Sequence, residues 1–164
     1  MVLVTIVLPV NAFVSLAQSS YLKTKIVNSA HGTSSQAQEQ RSNAIPFEVE
    51  YNQICLTGEI NGNQVKAYYS SSRSSNTISS LQASTFLANG FISEKNVQGE
   101  IVFGTISAGA TVVIPKLSFG NVVFTNVRCT VTDNLSYPFV VCERLFRHKG
   151  QVYVDQSNHT IYIY

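Results

Sequence analysis

The chain has 164 residues, enough for one domain with a core of its own. Hydrophobic residues make up 45% of it and charged residues 12%, which excludes a disordered or highly charged binding tail. A net charge of +2, with Lys and Arg scattered along the chain and no basic stripe, is too weak to suggest a nucleic-acid surface.

Residues 1–17 carry no charged side chain. Val2 to Leu8 is an apolar run, and Ser15-Leu16-Ala17 sets small residues at the two positions a signal peptidase reads. Pro9 and Asn11 interrupt the run too early for a membrane span. Residues 1–17 therefore read as a signal peptide, with an uncleaved anchor or a buried strand as the alternatives. A cleaved signal implies a periplasmic or secreted protein with no membrane attachment. Residues 18–45 are an N-terminal segment whose stretch 28–44 is polar and nearly free of large apolar groups, as in a linker. The folded domain is expected over residues 46–164.

Val, Ile, Thr, Tyr and Phe are abundant in that domain, and Gly and Asn punctuate short apolar runs, the composition of an all-β protein. A strand is predicted over Phe47–Ile60, a hairpin turn at Asn61-Gly62, and a second strand over Val65–Tyr69. The serines of Ser70–Ser75 end that strand, because short hydroxylated side chains favour turns. Extended structure resumes at Thr77-Ile78. Ser79 or Ser80 can cap a short helix carrying Leu81, Phe86 and Leu87, with Gly90 past its end. Strands are predicted over Val97–Phe103 and Thr111–Leu117, on either side of a small-residue segment. A turn at Gly120-Asn121 leads into a long strand in two parts, Val122–Thr132. Phe139-Val140-Val141 reads as a strand buried on both faces. Glu143–Arg147 fits one helical turn, and Val152–Asp155 with Thr160–Tyr164 forms a closing hairpin.

The order of these pieces resembles the retropepsin-like aspartic protease family, including its exported bacterial members, over roughly residues 46–163. Three segments carry the resemblance. Asn61-Gly62-Asn63-Gln64-Val65-Lys66-Ala67-Tyr68-Tyr69 is similar to the family's approach to its active site, with Ile78-Ser79 at the family spacing beyond the turn. Val140-Val141-Cys142-Glu143-Arg144-Leu145-Phe146 is similar to the family's later segment of two aliphatic residues, a glycine, two variable residues and two apolar ones. Leu117-Ser118-Phe119-Gly120-Asn121 followed by Val127 resembles the segment between. The resemblance implies an all-β fold: a small closed β-barrel of the single-domain acid protease type, with one or two short helices. It also implies a flap hairpin with Phe103, Gly104 and Thr105 at its tip, an extended peptide as ligand, and a homodimer.

The family's catalytic loop reads Asp-Thr/Ser-Gly. Here the same positions are Ser70, Ser71 and Ser72. The chemistry needs two carboxylates that share a proton, one acting as base on water and the other as acid. A serine hydroxyl does not titrate in that range and cannot replace the base. Ser72 adds a Cβ where the family has glycine, and Cys142 does the same in the second loop, beside Val140 and Val141. No catalytic residue is therefore expected, and the domain reads as an inactive homologue that keeps a peptide groove. Two alternatives stay open: an active endopeptidase with a non-standard site, and an assembly domain with a vestigial groove. Glu59, Glu100, Asp133 and Asp155 read as solvated surface acids. His31, His148 and His159 lie in loops, and no G-x-S-x-G elbow supports serine chemistry. Cys55, Cys129 and Cys142 form no C-x-x-C pair, so no metal or other cofactor is expected; they read as buried thiols, or as one disulfide and one thiol.

Overall fold

The structure is a computed structural model and describes residues 43–164. The expected signal peptide and the linker as far as residue 42 lie outside the described residues. Alternation of inward and outward side chains builds the strands. In β3 (Gln53–Ile60), Leu56, Gly58 and Ile60 are buried while Thr57 and Glu59 are exposed. The Asn61-Gly62 turn has φ of 51° and 82° and returns the chain as β4 (Asn63–Ser70), which buries Val65, Ala67 and Tyr69. Ahead of them lie β1 (Asn43–Pro46), which begins before the expected boundary, and β2 (Glu48–Glu50).

The strand expected over Phe47–Ile60 is in fact two. Tyr51 and Asn52 take φ of 51° and 61° and turn β2 back onto β3. Ser79 caps α1 (Ser80–Ala88) by accepting a hydrogen bond from the Gln82 amide at 3.1 Å, and the helix buries Ala83 and Phe86 while Leu81 faces solvent. The expected strand over Val97–Phe103 is likewise broken at Gly99 into β6 (Val97–Gln98) and β7 (Ile101–Val102). β7 pairs with β8 (Thr105–Ile106). β9 (Thr111–Phe119) and β10 (Val122–Val131) form the longest hairpin. They keep one register throughout but lack the rung opposite Pro115, which has no N–H to give; Asn126 sits there at φ 53°.

β5 (Asn76–Ile78) runs parallel to β10, and β11 (Phe139–Cys142) fits between β4 and β5, parallel to the first and antiparallel to the second. Around the barrel the order is β3, β4, β11, β5, β10, β9, and β9 closes on β3 at Ser118 and Glu59. This is a closed barrel of six strands. Closure brings β3 and β9 very near each other: a Cβ on Gly58 would lie 2.7 Å from the Phe119 ring and 2.9 Å from the Ser118 carbonyl oxygen. A separate three-stranded sheet holds β1, β13 (Thr160–Ile163) and β12 (Val152–Asp155).

The interior is aromatic. Phe86, Phe119, Phe139 and Phe146 are fully buried, and each contributes roughly 1.5–3 kcal/mol by leaving water. Phe146, from α2 (Glu143–Arg147), packs edge-on against Tyr69 with ring centroids 5.6 Å apart, which ties the short helix to the end of β4. Cys55, Cys129 and Cys142 are all buried and all free.

Candidate functional site

The site is assembled where β4 ends and β11 runs into α2. Parallel pairing aligns Val140 with Tyr68, Val141 with Tyr69 and Cys142 with Ser70, so the two loop segments singled out in the sequence meet side by side. Ser70 is half-buried, Ser71 and Ser72 are exposed, and the Ser70 and Ser72 hydroxyls lie 3.2 Å apart. No residue from 70 to 75 takes a positive φ, so the loop turns without the conformation a glycine would permit.

One buried residue fastens this junction. The Asn76 amide nitrogen donates to the Arg128 carbonyl at 3.0 Å, and its oxygen accepts from the Cys142 amide at 2.9 Å. Asn76 thereby connects β5, β10 and the start of α2. Cys142 and Cys129 are buried beside it, Cys129 pairing in register with Asn76. Burial pushes the Cys129 thiol well above its ordinary range, so it stays protonated.

A cavity of about 360 Å³ opens over the serine loop. Its walls include Gln53, Tyr69, Ser70, Ser71, Ser72 and Glu143. The Gln53 side-chain amide donates to the Tyr69 carbonyl and holds that wall. Glu143 is the one carboxylate lining this cavity, and it was absent from the acids weighed in the sequence. Glu59, Glu100, Asp133 and Asp155 do not line it. Burial resists ionisation of Glu143, but the Tyr69 hydroxyl at 2.8 Å and the Arg147 guanidinium outweigh it and hold the carboxyl below its usual range. Burial, followed by the Glu143 hydrogen bond, raises the Tyr69 phenol. The pair is thus a neutral phenol donating to an anionic carboxylate. In that state Glu143 only accepts hydrogen bonds, and its two oxygens already have partners.

Phe103 and Gly104 form the turn of the β7–β8 hairpin, with consecutive positive φ of 47° and 79°. The Phe103 ring is wholly exposed. This hairpin rests on α1, where the Ile106 amide donates to the Ser84 hydroxyl at 2.9 Å, and its tip does not line the serine-loop cavity. Among the described residues, no three His, Cys, Asp or Glu side chains converge as a metal site would require.

No protein-family model and no curated protein matches the chain. The crystal structure of a retropepsin-like aspartic protease from Rickettsia conorii superposes on it with a TM-score of 0.50, covering 74% of this chain and 89% of that one. The chain has the retropepsin-like fold. Sequence identity over that match is 10%, so the likeness is one of architecture. In this barrel the parallel pairing of Cys142 with Ser70 sets the Ser70–Ser72 turn beside the β11–α2 junction. The signals that would have pointed to Glu143 were its position directly after Cys142 and the tyrosine immediately before Ser70.

Proposed function

We propose that this domain has the retropepsin-like fold without its peptidase chemistry, and that it holds an extended peptide at the cleft beside the serine loop. The observation that carries the reading is the state of the acids there. Ser70 offers a hydroxyl at the loop position, and Glu143, the nearest carboxylate, is already committed to Tyr69 and Arg147. A water in this cleft meets one carboxylate, already paired with Tyr69 and Arg147, and no second carboxylate to share a proton with it. Peptide capture needs no such pair. Backbone hydrogen bonds to strand edges supply affinity, and pockets for alternate side chains supply selectivity. The exposed Phe103 ring at the hairpin tip supplies an apolar surface that can close on a bound chain. Export through a cleaved N-terminal signal accompanies this reading, and N-terminal sequencing of the mature protein tests it.

The test has two parts. Casein should survive incubation with the full chain from acid to neutral pH; cleavage that pepstatin blocks would return the domain to the active proteases. Calorimetric titration with a library of extended peptides should then detect binders. Phe103→Asn should weaken their binding by about tenfold, as loss of an aromatic anchor does. The same change should stabilise the free domain by about 1 kcal/mol, because asparagine tolerates a positive φ better than phenylalanine. A folded domain that binds no peptide would leave a structural or assembly role in place of this one.

A further inference from the structure

A second and larger cavity, about 550 Å³, also borders the β11–α2 junction. Its walls come from the end of the serine loop, from β10 at the missing rung, and from α2 with the residues just after it. The charges there are all of one sign. Arg128, Arg144 and Lys149 line the cavity together with His148, and no Asp or Glu does. The whole chain holds 11 Lys and Arg against 9 Asp and Glu, so a group of three cations without an acid is a local arrangement and not the average of the surface.

The pairing pattern points the same way. Arg147, on the same short helix, is tied to Glu143, and Lys66 is tied to Glu50. Among the described residues, Arg128, Arg144 and Lys149 have no ion-pair partner. The Lys149 ammonium sits 5.9 Å above the Phe124 ring, which is itself part of the cavity wall, so its position is held by contact with the barrel. Ser74 and Ser75 add hydroxyls to the same walls. Two arginines, a lysine and two serines line one cavity, and these side-chain types together match the several oxygens of a tetrahedral oxyanion.

We propose that this cavity binds a small ligand through a phosphate- or sulfate-type oxyanion group, with Arg128, Arg144 and Lys149 as its cationic contacts. The inference stands apart from the peptide reading, since it uses a different cavity and none of the serine-loop hydroxyls at residues 70–72.

The test is titration of the full chain with inorganic phosphate, inorganic sulfate and O-phosphoserine at constant ionic strength set with sodium chloride, followed by calorimetry and by backbone NMR shifts. Saturable binding of inorganic phosphate is expected, with shifts concentrated at Ser74, Ser75, Arg128 and Arg144. Tighter binding of O-phosphoserine would identify a phosphomonoester as the source, and equal binding a free oxyanion. Arg128→Gln and Arg144→Gln, both at exposed positions, should each weaken binding about tenfold, the worth of one charge-assisted contact. Lys95→Gln, outside the cavity, should leave it unchanged. Binding that never saturates, shifts elsewhere on the barrel, or equal weakening by Lys95→Gln would overturn the proposal and leave these cations as solvated surface charge.

Discussion

Glu143 carries its charge at the edge of the core because two donors meet it, the Tyr69 hydroxyl at 2.8 Å and the Arg147 guanidinium. Its folded-state pKa lies below the ordinary 4.5. The carboxylate therefore stabilises the fold fully above pH 4.5, and that contribution is lost as pH falls through the lower folded value. Glu50 and Asp155 share this sign, Glu50 through Lys66 and then Tyr68, and Asp155 through the amides of its own turn. Urea unfolding at neutral pH and near pH ~3 should show a fall in stability with acid, and Glu143→Gln should make that fall smaller. Tyr69→Phe should cost about 1.5–3 kcal/mol at neutral pH by removing one hydrogen bond to a charged acceptor. An acid response unchanged by Glu143→Gln would mean that this carboxylate is not held as described.

At the scale of elements, Asn76 has the largest consequence for its size. It serves a carbonyl of β10 and an amide at the start of α2 with one side chain. Asn76→Ala should cost about 3 kcal/mol, because it leaves a buried amide and a partly buried carbonyl without their partner. Denaturant unfolding would read this as a lower midpoint with an unchanged slope; a loss under about 1 kcal/mol would show that the strands hold the junction without it. Much of this level was legible in the residues. Asn61-Gly62 announces its hairpin, Ser79 its helix, and Phe139-Val140-Val141 its place inside the barrel. The breaks at Tyr51-Asn52 and Gly99 were not legible, since a tyrosine gives no sign that it will take a positive φ and the strand-like alternation continues on both sides. Glu143 was hidden for another reason. Its partner Tyr69 lies 74 residues away, and only the parallel register of β4 with β11 brings them together.

At the scale of the molecule, closure of the barrel removes the open edges of its six strands and leaves the three-stranded sheet of β1, β13 and β12 with free sides. Tyr153, Tyr162 and Tyr164 stack along this sheet, with ring centroids 6.4 and 6.1 Å apart, and two of them are about half exposed. We propose that this sheet pairs with that of a second copy of the chain about a two-fold axis. Sedimentation velocity of the full chain should then give a mass of twice the 18.0 kDa of one chain. A single-chain mass at every concentration would end that expectation.

The placement of β11 between β4 and β5 also sets a timetable for the newborn chain. A ribosome that has released only as far as Tyr137 has delivered both neighbours of the missing strand but nothing to join them. Until Phe139–Cys142 emerges, β4 and β5 each offer a bare row of amides and carbonyls to any other nascent strand nearby. Messages truncated just upstream of that segment should yield insoluble product, and those ending beyond the last strand should yield soluble protein.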